Sequence, residues 1–243
     1  MIVAIIAGVI GFFLIYQPVV NAENAEYWYE KGCSLMGSGK FNEAISFFNE
    51  AIKLNPNYAE AYKMRGLINS QVGNIQQALN DYNRAIKIDP NLAETYHYRG
   101  YLKFISNKYS DAIKDYDLAI KINPKYIEVY GLRAMAYYRL NNYQEAIKNY
   151  TNIIKLNPDL TSYYHVLGMR GNSYVKIGEY NMALNDYTKA IEINPENPET
   201  YYNRAVLWGK LDKRKESFED LKRAAKLGHV EAQKYLRLNK IEW

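Results

Sequence analysis

Five hexapeptides in this chain are variants of one phrase: AIKLNP at 51–56, AIKIDP at 85–90, AIKINP at 119–124, IIKLNP at 153–158 and AIEINP at 190–195. The first four begin 34 residues apart and the fifth follows after 37. Such a period is too long for a heptad and too short for a domain. It is the spacing of a stacked array, whose units bury their apolar faces only against one another.

Aligning the phrases gives six units, 25–58, 59–92, 93–126, 127–160, 164–197 and 198–231, followed by a basic C-terminal cap at 232–243. Each unit reads as two helical halves. The fourth position of the first half is aromatic or leucine (Trp28, Tyr62, Tyr96, Tyr130, Leu167, Tyr201), and four residues later stands Gly or Ala (Gly32, Gly66, Gly100, Ala134, Gly171, Ala205). That spacing puts both on one helical face, where the small residue admits a neighbouring helix. The fifteenth position is Gly39, Gly73, Asn107, Asn141, Gly178 or Asp212, residue types that tolerate the left-handed conformation ending a helix. The second half pairs an alanine with an aromatic four later, as in Ala78 and Tyr82, and closes at the proline of the phrase, which cannot continue the helix before it.

The seventh position is Arg65, Arg99, Arg133, Arg170 and Arg204, and the twenty-third is Asp81, Asp115, Asn149, Asp186 and Asp220; the first unit has Lys31 and Phe47 instead. In a hairpin turning near position fifteen these two positions stand at one height on opposite helices. The pattern predicts an ion pair inside each hairpin for Arg65 with Asp81, Arg99 with Asp115, Arg170 with Asp186 and Arg204 with Asp220. A row of arginines offered to phosphate or carboxylate is the alternative.

In period, small residues, aromatic positions and proline together, residues 25–231 resemble the tetratricopeptide repeat family. The resemblance implies an all-α, right-handed superhelical array of six helix-turn-helix hairpins with a C-terminal capping helix, and a protein-protein interaction scaffold that takes a protein or peptide ligand in its concave groove. It also implies that positions 5, 9 and 12 of each first helix line that groove. Those positions, with two neighbours at the edge, supply the candidate partner-binding residues Lys63, Leu67, His97, Tyr101, Phe104, Gly131, Met135, Tyr138, Arg139, Gly168, Asn172 and Lys176. The family's lysine and asparagine clamp for a C-terminal acidic peptide is not reproduced. Glycine at 131 and 168 costs a helix interior about 1 kcal/mol relative to alanine, and bare backbone there is expected to open a shallow apolar pocket, with Arg139 and Lys176 at its edge for an acidic neighbour. The three extra residues before the fifth unit are expected to extend its first helix over 160–163, capped by Asp159, Thr161 or Ser162.

Charge bears on the competing functions. Residues 210–240 hold ten Lys and Arg against five Asp and Glu, so the rest of the chain, 21 against 21, is neutral. A helical-repeat RNA reader would spread its positive excess along the contact surface, so no nucleic-acid partner is expected. The three histidines, His97, His165 and His229, are scattered, and no metal-ligand spacing, phosphate loop or nucleophile elbow occurs. The chain reads as no enzyme, with no cofactor and no metal site.

Residues 1–22 stand apart. From Ile2 to Tyr16 every residue is apolar, glycine or aromatic, a run between a signal-peptide core and a bilayer span. Val20 and Ala22 would suit a cleavage site, but no basic residue precedes the run. Cleaved signal and transmembrane helix through 2–20 both stay open, and either predicts a membrane-anchored or exported protein of the cell envelope.

Overall fold

The computed structural model describes residues 24–156 and 163–243. The apolar segment 1–22 and residues 157–162 lie outside these. Among the described residues there are thirteen α-helices and no strand: α1 (Ala25–Gly37), α2 (Phe41–Leu54), α3 (Ala59–Gln71), α4 (Ile75–Ile88), α5 (Ala93–Ile105), α6 (Tyr109–Ile122), α7 (Ile127–Arg139), α8 (Tyr143–Leu156), α9 (Tyr164–Lys176), α10 (Tyr180–Ile193), α11 (Pro198–Lys210), α12 (Arg214–Lys226) and α13 (Val230–Leu238). Each odd helix packs most extensively on the even helix that follows, making six hairpins, and each hairpin stacks on the next.

Two features of the repeat make the hairpin. At the turn, Gly39, Gly73, Asn107, Asn141, Gly178 and Asp212 all adopt positive φ, between 57° and 85°. The backbone amide after each donates to the carbonyl five residues earlier, from Lys40 to Leu35 at 2.9 Å through Lys213 to Trp208 at 2.9 Å, which satisfies carbonyls the ending helix leaves open. Between the helices, the small eighth residue faces the aromatic at position twenty-four. A Cβ on Gly66 or Gly100 would stand 2.8 or 2.7 Å from the ring of Tyr82 or Tyr116, so glycine sets how closely these hairpins close.

The opening phrase is a linker as well as a helix end. Asn55, Asp89, Asn123 and Asn194 accept, through their side chains, the amide two residues on, at 2.8–3.2 Å. This Asx turn carries the chain around the proline into the next hairpin. At the far end α13 buries Ala232 and Leu236 on the last hairpin and leaves Val230 and Leu238 exposed.

One expectation fails. Helix α9 begins at Tyr164, has the same 13 residues as α7 and α11, and is preceded by Tyr163 as its N-cap without a side-chain capping bond. Tyr163 is therefore not helical; the rest of the expected extension, with Asp159, Thr161 and Ser162, lies outside the described residues. First helices of consecutive hairpins approach one another at α1 and α3, α3 and α5, α5 and α7, and α9 and α11, and α7 and α9 together line one depression of the surface.

Candidate functional site

The arginine row is occupied from within. Arg65, Arg99, Arg170 and Arg204 each grip the aspartate sixteen residues on with two bonds of 2.6–3.0 Å, the bidentate geometry that the planar guanidinium favours. The remaining donor, Nη1, reaches back to the preceding hairpin: to Asn49, Asn83, Asp117, Thr151 and Thr188 from Arg65, Arg99, Arg133, Arg170 and Arg204 in turn, at 2.5–3.0 Å. Each fork thus joins two helices of its own hairpin and ties that hairpin to its neighbour. Position 25, which supplies the second contact, was not singled out from the sequence. It also resolves the odd unit: Arg133 meets Asn149 where the others meet aspartate, and finds its carboxylate on Asp117 of the hairpin before. The Asp220 hydrogen bond holds Arg204 above the ordinary arginine value.

The groove candidates divide into two groups. In the first half of the array, position five is a bridge. Tyr29 stacks near Tyr58 with ring centroids 5.0 Å apart; Lys63 pairs with Glu94 at 2.5 Å; His97 Nδ1 lies 2.7 Å from the Tyr126 hydroxyl. Burial lowers the His97 pKa against the opposing pull of Glu128 and Glu94, and Tyr126 is pushed up to about 12, also chiefly by burial. Leu67 is half-buried, Phe104 packs edge-on against Tyr109 at 5.3 Å, and Tyr101 projects, 45% exposed.

In the fourth and fifth hairpins position five is Gly131 and then Gly168, and no bridge forms; in the sixth, Tyr202 stacks on His229 with ring centroids 4.1 Å apart. A Cβ on Gly131 would reach Ile153 at an ordinary 3.8 Å; one on Gly168 would meet nothing within 4 Å. Here two depressions open side by side. Met135, Tyr138, Arg139, Tyr150, Met169 and Asn172 line the first. Tyr138 and Asn172 also line the second, together with Val175, Lys176, Tyr187, Asn203, Val206, Leu207 and Lys210. Neither glycine lines either one. The expectation that bare backbone forms the pocket is corrected: the walls are side chains, chiefly from positions 9, 12 and 13, one turn further along, with others from position 6 and from the tyrosines at position 24.

The depressions have a built floor. The Tyr187 hydroxyl donates to Asn172 Oδ1 at 2.6 Å and the Tyr150 hydroxyl reaches Met169 Sδ at 3.5 Å. Burial pushes both phenols well above the ordinary tyrosine range, so the floor stays uncharged at any physiological pH. Tyr138 is braced by Tyr143 in a T-shaped contact at 5.2 Å. Of the candidates, the structure therefore gathers Met135, Tyr138, Arg139, Asn172 and Lys176, and leaves Lys63, Leu67, His97, Tyr101, Phe104, Gly131 and Gly168 outside. Met169, Asn203 and Lys210 were missed; the first two sit at position six, which sequence reasoning had assigned to neither core nor groove.

Comparison with known proteins follows the same periodicity. Family models described as "TPR repeat" match residues 100–141 and 171–212, and models described as "Tetratricopeptide repeat" match 25–58, 59–92 and 127–160. Together these segments cover more than half of the chain. An uncharacterized protein of Methanocaldococcus jannaschii is 40% identical over 47 residues, 19% of this chain and 55% of that protein, so the chain spans about half the length of the curated relative it matches. Among solved structures, the MamA protein aligns at 22% identity with a TM-score of 0.65, over 72% of this chain and 94% of that one. YrrB, described as a TPR protein with an unusual peptide-binding site, aligns at 20% identity with a TM-score of 0.69, over 78% and 97%. PilF of Pseudomonas aeruginosa aligns at 16% identity and 0.68, over 88% and 96%.

Proposed function

Because the chain belongs to the tetratricopeptide repeat family, we propose that it is a non-catalytic protein-interaction scaffold that receives a peptide segment or protein surface along its first helices. The observation that carries this reading is the division of labour between the two conspicuous rows. Arginine, the residue best suited to grip a ligand's phosphate or carboxylate, is consumed inside the stack. Position five is left without a bridging side chain at Gly131 and Gly168, beside the paired depressions around Tyr138. A concave site of apolar walls with a few convergent polar groups is what ligand recognition requires, and tyrosine and methionine are favoured anchors at interfaces. The neutral body of the array disfavours the RNA-binding alternative.

The test is a pair of readouts on one variant. Tyr138→Ala is expected to weaken capture of a native partner about tenfold or more while shifting the melting temperature by only a few degrees. A large fall in melting temperature with capture spared would make Tyr138 a packing residue and end the groove reading.

Location is proposed from Ile2 to Tyr16: the protein is anchored in, or exported across, a membrane. Among the described residues no helix is long and apolar enough to cross one, so the segment 1–22 alone carries this reading. Fractionation that finds the full-length chain in the soluble cytosolic pool would refute it.

A further inference from the structure

Hairpins four to six differ from hairpins one to three at one further position. The thirteenth residue of the first helix is Gly37, Gln71 and Ile105 in the first three, and Arg139, Lys176 and Lys210 in the last three. All three cations are exposed and all three border the depressions. Among the described residues Arg139 and Lys176 have no ion pair, hydrogen bond or ring contact. Lys210 lies over the Tyr180 ring at 4.7 Å, a contact with the ring face that leaves its N–H donors unpaired. The five arginines of the seventh-position row are each tied to a carboxylate, whereas these three cations line a concave surface with no carboxylate partner.

Their surroundings fix the rest of the ligand. Positions 5, 9 and 12 of these hairpins hold Gly131, Met135, Tyr138, Gly168, Asn172, Val175, Tyr202, Val206 and Gly209, with no acid among them. The depression between α7 and α9 is walled by Met135, Met169 and two tyrosines, and the one between α9 and α11 adds the side-chain amides of Asn172 and Asn203. We propose that this edge binds an extended acidic peptide: an aliphatic side chain enters the Met135–Met169 depression, the two asparagines serve peptide groups, and carboxylates face Arg139, Lys176 and Lys210 in succession. The proposal rests on the scaffold reading above and names its partner class. Packed helices lie about 8–10 Å apart and an extended chain advances about 3.3 Å per residue, so the carboxylates recur about every third residue. A single-stranded nucleic acid would also supply anions, but it wants a series of free aromatic faces for its bases, and Tyr138 is held edge-on by Tyr143.

The experiment measures fluorescence anisotropy of the full chain in detergent micelles with three probes. One is a labelled peptide of about ten residues with glutamate at every third position and a leucine beside the central one; the second has lysine for glutamate; the third is oligouridylate of similar length. The acidic probe is expected to bind, and the Arg139→Glu, Lys176→Glu, Lys210→Glu triple variant to lose about tenfold or more in affinity while gaining affinity for the lysine probe. Its melting temperature is expected to hold, since the three side chains are exposed; if it does not, the salt dependence of wild-type binding to the first two probes replaces it, with opposite slopes expected. Acidic-probe binding that survives the triple reversal, or preference for the lysine probe or the oligonucleotide, overturns the acidic-peptide assignment and leaves the groove standing. Binding of no probe, together with undiminished partner capture by Tyr138→Ala, overturns both.

Discussion

Hairpins one to three and hairpins four to six are built from one repeat and closed in different ways. In the first half Tyr29, Lys63 and His97 each reach a partner across the stripe, Tyr58, Glu94 and Tyr126. In the fourth and fifth hairpins Gly131 and Gly168 offer no side chain to bridge, Tyr202 of the sixth stacks on His229, and two depressions appear. Beneath both halves the arginine ladder runs from the second hairpin to the sixth. Stacking is thus specified by positions the repeats have in common, whereas the depressions are walled by side chains at positions that vary between them. A repeat array acquires a local site by withholding a contact, at no cost to the contacts that hold its neighbours together.

The ladder is where that contrast predicts the largest effect. Asp115 is 2% exposed and accepts Arg99 through both oxygens, with Lys103 at 2.7 Å as well. Asp115→Ala leaves two cations facing a buried gap and is expected to cost about 3 kcal/mol. Asp117, half exposed, serves Arg133 from the preceding hairpin, and Asp117→Ala is expected to cost about 1 kcal/mol or less. Urea denaturation of the two variants compares them directly; equal losses would mean that the ladder works between hairpins as much as within them.

Next in size is a comparison of two glycines three residues apart. A Cβ at Gly171 would lie 2.7 Å from the Tyr187 ring, while one at Gly168 has open space. Gly171→Ala is expected to destabilise by about 1–3 kcal/mol through overpacking, and Gly168→Ala to stabilise by up to about 1 kcal/mol through helix propensity. Thermal melts of the pair check the signs. Destabilisation by both would show that the second groove glycine is held by packing, and that the openness of the rear half is incidental.

What the sequence disclosed, and what it withheld, follows from range. The pairing of positions 7 and 23 was legible because one turn fixes the height of both, so spacing within a hairpin is enough. Asp117 as the partner of Arg133 was not legible, because its contact crosses from one hairpin to the next and depends on how hairpins stack. The same limit explains the glycines: their cost as helix residues could be read locally, but not that the cavity would lie one turn beyond them. The insertion before the fifth unit was read as added helix, since its length is near one turn. The structure keeps α9 at its ordinary length, beginning at Tyr164, an outcome that a single unit's pattern does not contain.

The smallest predicted effect probes the closed half through His97. Its ring is half-buried, stacks on Tyr98 at 5.1 Å and accepts the Tyr126 hydroxyl at Nδ1 when neutral. Protonation removes that acceptor. Burial, the largest influence, places the folded pKa below the ordinary histidine value of 6.5, although Glu94 and Glu128 favour the charged ring. In the unfolded chain the ordinary value applies, so as pH falls below about 6.5 the unfolded state takes up the proton first. The bridge therefore contributes fully above that value and loses stability as pH falls from it toward the folded pKa. His97→Asn is expected to lose less melting temperature than wild type between about pH 7.5 and pH 5.5, by about 1–2 °C, because carboxylate effects common to both proteins cancel in the difference. An equal acid loss in the variant would mean that the His97 bridge does not hold the third hairpin to the fourth, and that Gly131 and Gly168 withhold less than their place in the row implies.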